Sequence, residues 1–273
     1  MKKHGFWIMV ILLFCYLGVT LSSFVGDDET PKDWYEQKDS LRADLARAIL
    51  DAQELAPSKV SHTLMAINID NPDQEWATIH GRKMVLVAAF MNDKGLPFYM
   101  AEDTFRIAKQ TGVWVALPMD WQRRASEFEG LDSVASQIRM VQMLGLGVDC
   151  DYDHVVEFYA DPDFLFRPAF NPDITTHSVE PSFPAYADST YRVGETYFRE
   201  WFAYNLSMAY VGDDALPWTQ LGYTYDWHRG APREGLTEFI VSFHTLVQVK
   251  RRVGSWTFIQ EICQKAQPPS HSY

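Results

Sequence analysis

Residues 84–91 read MVLVAAFM, eight apolar side chains with no polar residue at alternate positions. A strand with one wet face alternates with a period of two, whereas a strand covered on both faces reads as a continuous apolar run. Turn formers bound the run, Gly81 before it and Gly95 after it, and hold it to strand length. It predicts a central strand with packed layers on each side. Shorter β-rich runs at 63–68, 75–79 and 113–117 surround it, separated by Asn71, Pro72 and Gly112. Residues 152–160, 221–227, 236–243 and 245–253 read as further strands.

Helical periodicity flanks these strands. In residues 32–56, Leu41, Leu45, Ala48, Ile49, Ala52 and Leu55 recur on one face, and Pro57 stops the pattern. Pro118 and Asp120 lead into a short polar helix. Residues 131–146 predict a largely buried helix, capped by Asp132 or Ser133, in which Arg139 is the one basic residue. Residues 191–210 predict an aromatic helix with Phe198, Trp201 and Phe202 facing a core, and residues 255–266 a final helix capped by Ser255. Between 161 and 186, five prolines forbid regular structure and leave a long connection. Helices mixed with grouped strands give an α+β class: a single domain with a mixed or mostly antiparallel sheet packed by amphipathic helices, preceded by an N-terminal membrane helix.

That membrane helix is read from residues 6–25, an uncharged run preceded by Lys2 and Lys3 and followed by Asp27, Asp28 and Glu29. Twenty helical residues span about 30 Å, the thickness of a bilayer core. The charge bias keeps the amino terminus cytoplasmic and sends the rest across. The expected organisation is a signal peptide or transmembrane anchor at 1–26, an extracytoplasmic domain at 27–267, and a flexible tail at 268–273. The expected location is the cell envelope, periplasmic or extracellular, with the membrane as a partner through that helix. Cleavage of the segment stays open, as does a bridge between Cys150 and Cys263, the two cysteines outside it.

The chain has 273 residues, 47% of them hydrophobic and 14% aromatic, enough to bury a core and too many for a disordered or collagen-like chain. Its 24 basic and 36 acidic residues give a net charge of -12, which gives phosphate-backbone binding no global support, so nucleic acid is not expected as a partner.

The densest polar and aromatic cluster is residues 221–228, LGYTYDWH. Strand alternation puts Tyr223, Tyr225 and Trp227 on one face and Thr224, Asp226 and His228 on the other. On the catalytic reading, His228 transfers a proton, Asp226 orients it, and Glu238 or Glu234 assists. The competing reading is a solvated strand end. Trp218, Tyr223 and Trp227 are candidate walls of a binding cleft, and Arg167 a candidate clamp for a carboxylate or phosphate unless it pairs with Asp161 or Asp163. Asp149, Asp151 and Asp153 imitate the start of a calcium loop, but His154 and Ala160 stand where glycine and glutamate are required. Nucleophile-elbow, dinucleotide, phosphate-loop and zinc-protease motifs are missing from the sequence. No metal and no cofactor are expected. These features point to a non-catalytic extracytoplasmic binding or accessory protein that meets another envelope protein. The alternative is a hydrolase-like enzyme using the Asp226, His228 and Glu238 set, and the sequence leaves enzyme status undecided.

Overall fold

The computed structural model describes residues 33–99 and 104–266. The described residues from 41 onward belong to one compact unit, and residues 33–40, the start of helix α1 (Asp33–Gln53), fall outside it. The membrane segment expected at 6–25, the boundaries of the expected domain and the tail at 268–273 lie outside the described residues. Among the described residues no helix is long and apolar enough to cross a membrane.

The continuous apolar run becomes β2 (Arg82–Met91), buried on both faces from Met84 to Ala89. It pairs with β1 (Trp76–Ile79) and β5 (His154–Ala160); β5 pairs with β12 (Leu246–Gly254), and β12 with β3 (Thr104–Arg106). A second sheet of three strands has β11 (Phe239–Val241) between β4 (Val113–Val115) and β6 (Leu165–Phe166). Every strand pair among the described residues is antiparallel, so the sheet arrangement is the antiparallel form of the expected α+β class.

Alternation then builds the layers. Val85, Val87, Phe158 and Val247 of the first sheet pack against Val113, Val115, Phe239 and Val241 of the second. The first sheet's other face, with Ala88 and Val155, takes Trp121 of α2 (Pro118–Arg123), Met140 and Met143 of α3 (Ser133–Met143), and Phe258, Ile259 and Ile262 of α5 (Ser255–Ala266). Asp132 caps α3 by accepting from the Ala135 N–H at 2.8 Å, a contact worth about 1 kcal/mol. On the outer face of the three-stranded sheet, Trp114, Phe166 and Ile240 meet Phe198, Trp201 and Phe202 of α4 (Phe198–Ala209).

Several expected elements differ in extent, each for a local reason. Residues 63–68 are not a strand: the Leu64 and Ile67 N–H groups donate to His177 and Ile174 in the proline-rich connection. That connection contains β6, which its flanking prolines conceal. The aromatic helix begins at Phe198 because β7 (Arg192–Val193) and β8 (Thr196–Tyr197) form a hairpin turning at Gly194, φ +57°. In β12 a register shift at Lys250 turns Arg251 to the helix side, where it pairs with Glu157 and Glu261. Cys150 and Cys263 are free thiols, the Cys263 thiol donating to the Ala125 carbonyl at 3.5 Å.

Candidate functional site

Residues 236–243 are broken at Glu238. β10 (Glu234–Thr237) pairs with β9 (Tyr223–Tyr225), while β11 leaves to join the other sheet. The residue between them answers to neither ladder: the Glu238 N–H donates to the Gly222 carbonyl at 3.1 Å and its side chain is buried. Its Oε1 has no hydrogen-bond partner among the described residues. Burial pushes the carboxyl up to about 8, against the pull of the Arg167 charge and the Trp218 indole, because removing a carboxylate from water penalises its charged form.

Glu238 lines a cavity of about 960 Å³, at the upper end of the range for small-molecule pockets. The first sheet reaches the second through one isolated bridge, Ala88 to Ala116. Small side chains at Ala88, Ala89 and Ala116 leave room beside that bridge, and larger residues such as Met91, Phe105, Trp114, Trp121 and Tyr223 complete the walls. Of the buried side-chain atoms without a partner among the described residues, Glu238 Oε1 is the one that belongs to a cavity-lining residue.

The three residues of the proposed acid–base set go to different places. Asp226 is buried rather than cleft-facing. Its carboxylate accepts from Arg139 at 2.9 Å and from Arg124 at 3.0 Å, and Glu127 bridges the same two guanidinium groups. Burial acts to raise Glu127, but Arg124 and Arg139 hold it below its ordinary range. This is a charge-balanced quartet of two arginines and two carboxylates. His228 is exposed; its backbone N–H, not its ring, meets Asp226, at 3.1 Å, and the ring has no hydrogen bond among the described residues. Glu234 accepts from Ser61 at 2.7 Å and Thr63 at 3.1 Å. The structure thus brings neither Asp226 nor Glu238 to the imidazole.

Among the candidate binding residues, Trp218 and Tyr223 line the cavity. The Trp218 indole donates to the Pro168 carbonyl at 3.0 Å and stands edge-on to Trp114. Trp227 packs elsewhere, with Ala48 and Val141, and donates to the Leu146 carbonyl. Arg167 is fully buried and is not a surface clamp. It donates to the Met65 and Thr176 carbonyls at 3.0 and 2.9 Å and pairs with neither Asp161 nor Asp163; Asp161 is taken by Arg82. Burial lowers Arg167 to about 10. Gly222 makes room for it: φ is +88°, and a Cβ there would lie 2.6 Å from Arg167 Cδ.

The calcium-like triplet separates, Asp149 to Arg42 and Asp151 to Asn92. Asp153 instead joins Asp93 and His154 in a surface trio whose ligand atoms lie within 4.8 Å of one another. The sequence reading missed the cavity and the arginine partners of Asp226. A signal for the second was present in Arg139, a lone charge on a buried helix that requires a carboxylate. No protein-family model, curated protein or solved structure matches this chain.

Proposed function

We propose that the chain is a non-catalytic binding module, held at a membrane by its amino-terminal segment with the domain outside the cytoplasm, whose site is the cavity beside Glu238. The supporting observation is a large, mostly apolar cavity that has a buried glutamate among its lining residues, one oxygen of which makes no hydrogen bond among the described residues. Ligand sites combine these two features, extensive apolar surface for affinity and a few polar atoms for orientation. The envelope partner expected from the sequence would, on this reading, deliver or receive the bound molecule. A hydrolase finds less support: the Asp226 carboxylate is occupied by two arginines, and a base without an orienting partner lacks the geometry of an acid–base site.

The test is binding of an environment-sensitive apolar fluorophore to the full chain in lipid nanodiscs, with empty discs as the blank. Ala108 lies at the cavity and is exposed, so Ala108→Trp narrows the site from outside the core. The expected result is a saturable signal that Ala108→Trp weakens about tenfold, with stability changed by less than about 0.5 kcal/mol. A signal no greater than that of empty discs, or one indifferent to Ala108→Trp, contradicts the proposal.

A further inference from the structure

We propose that Asp93, Asp153 and His154 together bind a zinc ion where the end of β2 meets the start of β5. The site does not depend on the cavity reading above.

The sheet gathers the three ligands before any ion arrives. His154 opens β5, in register with Met91 of β2 on one side and Gly254 of β12 on the other. Asp153 precedes it; its N–H donates to the Met91 carbonyl at 3.2 Å, and its carbonyl accepts from the Ser255 N–H at 2.7 Å. Asp93 lies just past the end of β2, in a turn where the Gly95 N–H donates to the Asn92 carbonyl at 3.0 Å. Folding therefore covers the ordering of these side chains' backbone, a cost that an ion would otherwise have to offset. Sequence spacing conceals the site, because Asp93 comes from a different strand end.

The side-chain geometry fits a metal better than a histidine–carboxylate pair. Asp93 Oδ1 lies 2.9 Å and Asp153 Oδ1 3.3 Å from the same nitrogen, His154 Nε2, and the ligand atoms all lie within 4.8 Å of one another. A ring nitrogen carries at most one proton. That nitrogen makes its hydrogen bond with Asp93, yet the Asp153 carboxylate converges on it as well. Neither carboxylate pairs with a lysine or arginine among the described residues. A dication between the three atoms answers both negative charges and takes the nitrogen lone pair.

The ligand types and spacings then select the ion. Tetrahedral zinc, with ligands at about 2.1 Å, sets them about 3.4 Å from one another, close to the 2.9 and 3.3 Å found around Nε2. Calcium takes about six to eight oxygens, more than two aspartates supply, and imidazole nitrogen suits zinc over calcium or magnesium. Three protein ligands leave a fourth position for water. Asp93 and Asp153 are exposed and His154 is half-buried, so an ion can enter from solvent.

The experiment is calorimetric titration of the full chain in nanodiscs at pH 7, in a non-chelating buffer, with zinc, calcium and magnesium chlorides, each corrected with empty discs. The expected result is one tight zinc site, with calcium and magnesium at least about tenfold weaker. His154→Ala should abolish it, and Asp93→Asn and Asp153→Asn should each weaken it by at least about tenfold. Asp151→Asn, which removes a neighbouring exposed charge outside the trio, should leave zinc affinity unchanged. Calcium as tight as zinc, or a loss in Asp151→Asn equal to that in Asp153→Asn, would reveal a diffuse acidic patch and overturn the proposal. Absence of tight zinc binding overturns it too, as does a zinc site that any one of the three ligand variants leaves intact. Urea unfolding checks each variant's fold; should His154→Ala fail to fold, the two aspartate variants, at exposed positions, still decide.

Discussion

Asp226 and Glu238 are two buried carboxyls twelve positions apart, at opposite ends of the β9–β10 hairpin. Around Asp226 the chain supplies two arginines, a bridging Glu127 and a backbone N–H. Around Glu238 it supplies aromatic walls, a cavity, the Trp218 indole and an arginine that acts through its charge, and one carboxyl oxygen is left without a partner among the described residues. A buried charge that is paired and hydrogen-bonded is a structural joint, and breaking it is expensive. A buried carboxyl left unanswered lowers stability, and such local violations collect where a fold does something other than hold itself together. The pair therefore separates the residue that ties the hairpin to the end of α2 and to α3 from the residue that lies beside the cavity.

Substitutions should expose that difference in order of size. Asp226→Asn leaves Arg124 and Arg139 with half of their neutralising charge, and the expected loss is about 3–5 kcal/mol in urea unfolding of the full chain. A loss below about 1 kcal/mol would make the two carboxyls equivalent and dissolve the contrast. Glu238→Leu should act far more weakly, within about 1.5 kcal/mol of neutral, since it removes a buried side chain with one oxygen lacking a partner among the described residues; a loss as large as that of Asp226→Asn would mean that Glu238 is also a joint. His228→Ala should change stability by no more than about 0.5 kcal/mol, because the ring is exposed and makes no hydrogen bond among the described residues. A larger loss, seen in the same unfolding curves, would assign His228 a place in the Asp226 network.

Much of the layer order was legible in the sequence, because period-two and period-3.6 patterns report burial directly. The run at 84–91 gave β2 and its two covered faces, and Ser255–Ala266 matches α5 at both ends. What escaped were features set by long-range geometry. Residues 236–243 read as one strand because nothing local marks Glu238 as the point where the chain leaves one sheet for another. Strand alternation placed Asp226 on an accessible face, but β9 ends at Tyr225, so alternation no longer governs where Asp226 and Trp227 point. Of the site, Trp218 and Tyr223 were picked out as cleft walls, and Glu238 for another role, beside His228. Beside the cavity that unites them, two alanines of β2 and a third just past β4 meet through a single bridge, a juxtaposition with no sequence period.

The most direct test of the account is the pH dependence of unfolding free energy for the wild-type chain against Glu238→Gln between pH 5 and pH 8. With the carboxyl raised from its ordinary value of 4.5 to about 8 in the folded state, the native chain keeps a proton that the unfolded chain has released across that window. Wild-type stability should therefore fall, relative to Glu238→Gln, by about 1.4 kcal/mol per pH unit at most as pH rises through it, and become parallel to the variant above pH 8. Curves that run parallel from pH 5 upward would show Glu238 titrating as an ordinary surface acid, and the contrast with Asp226 would be gone.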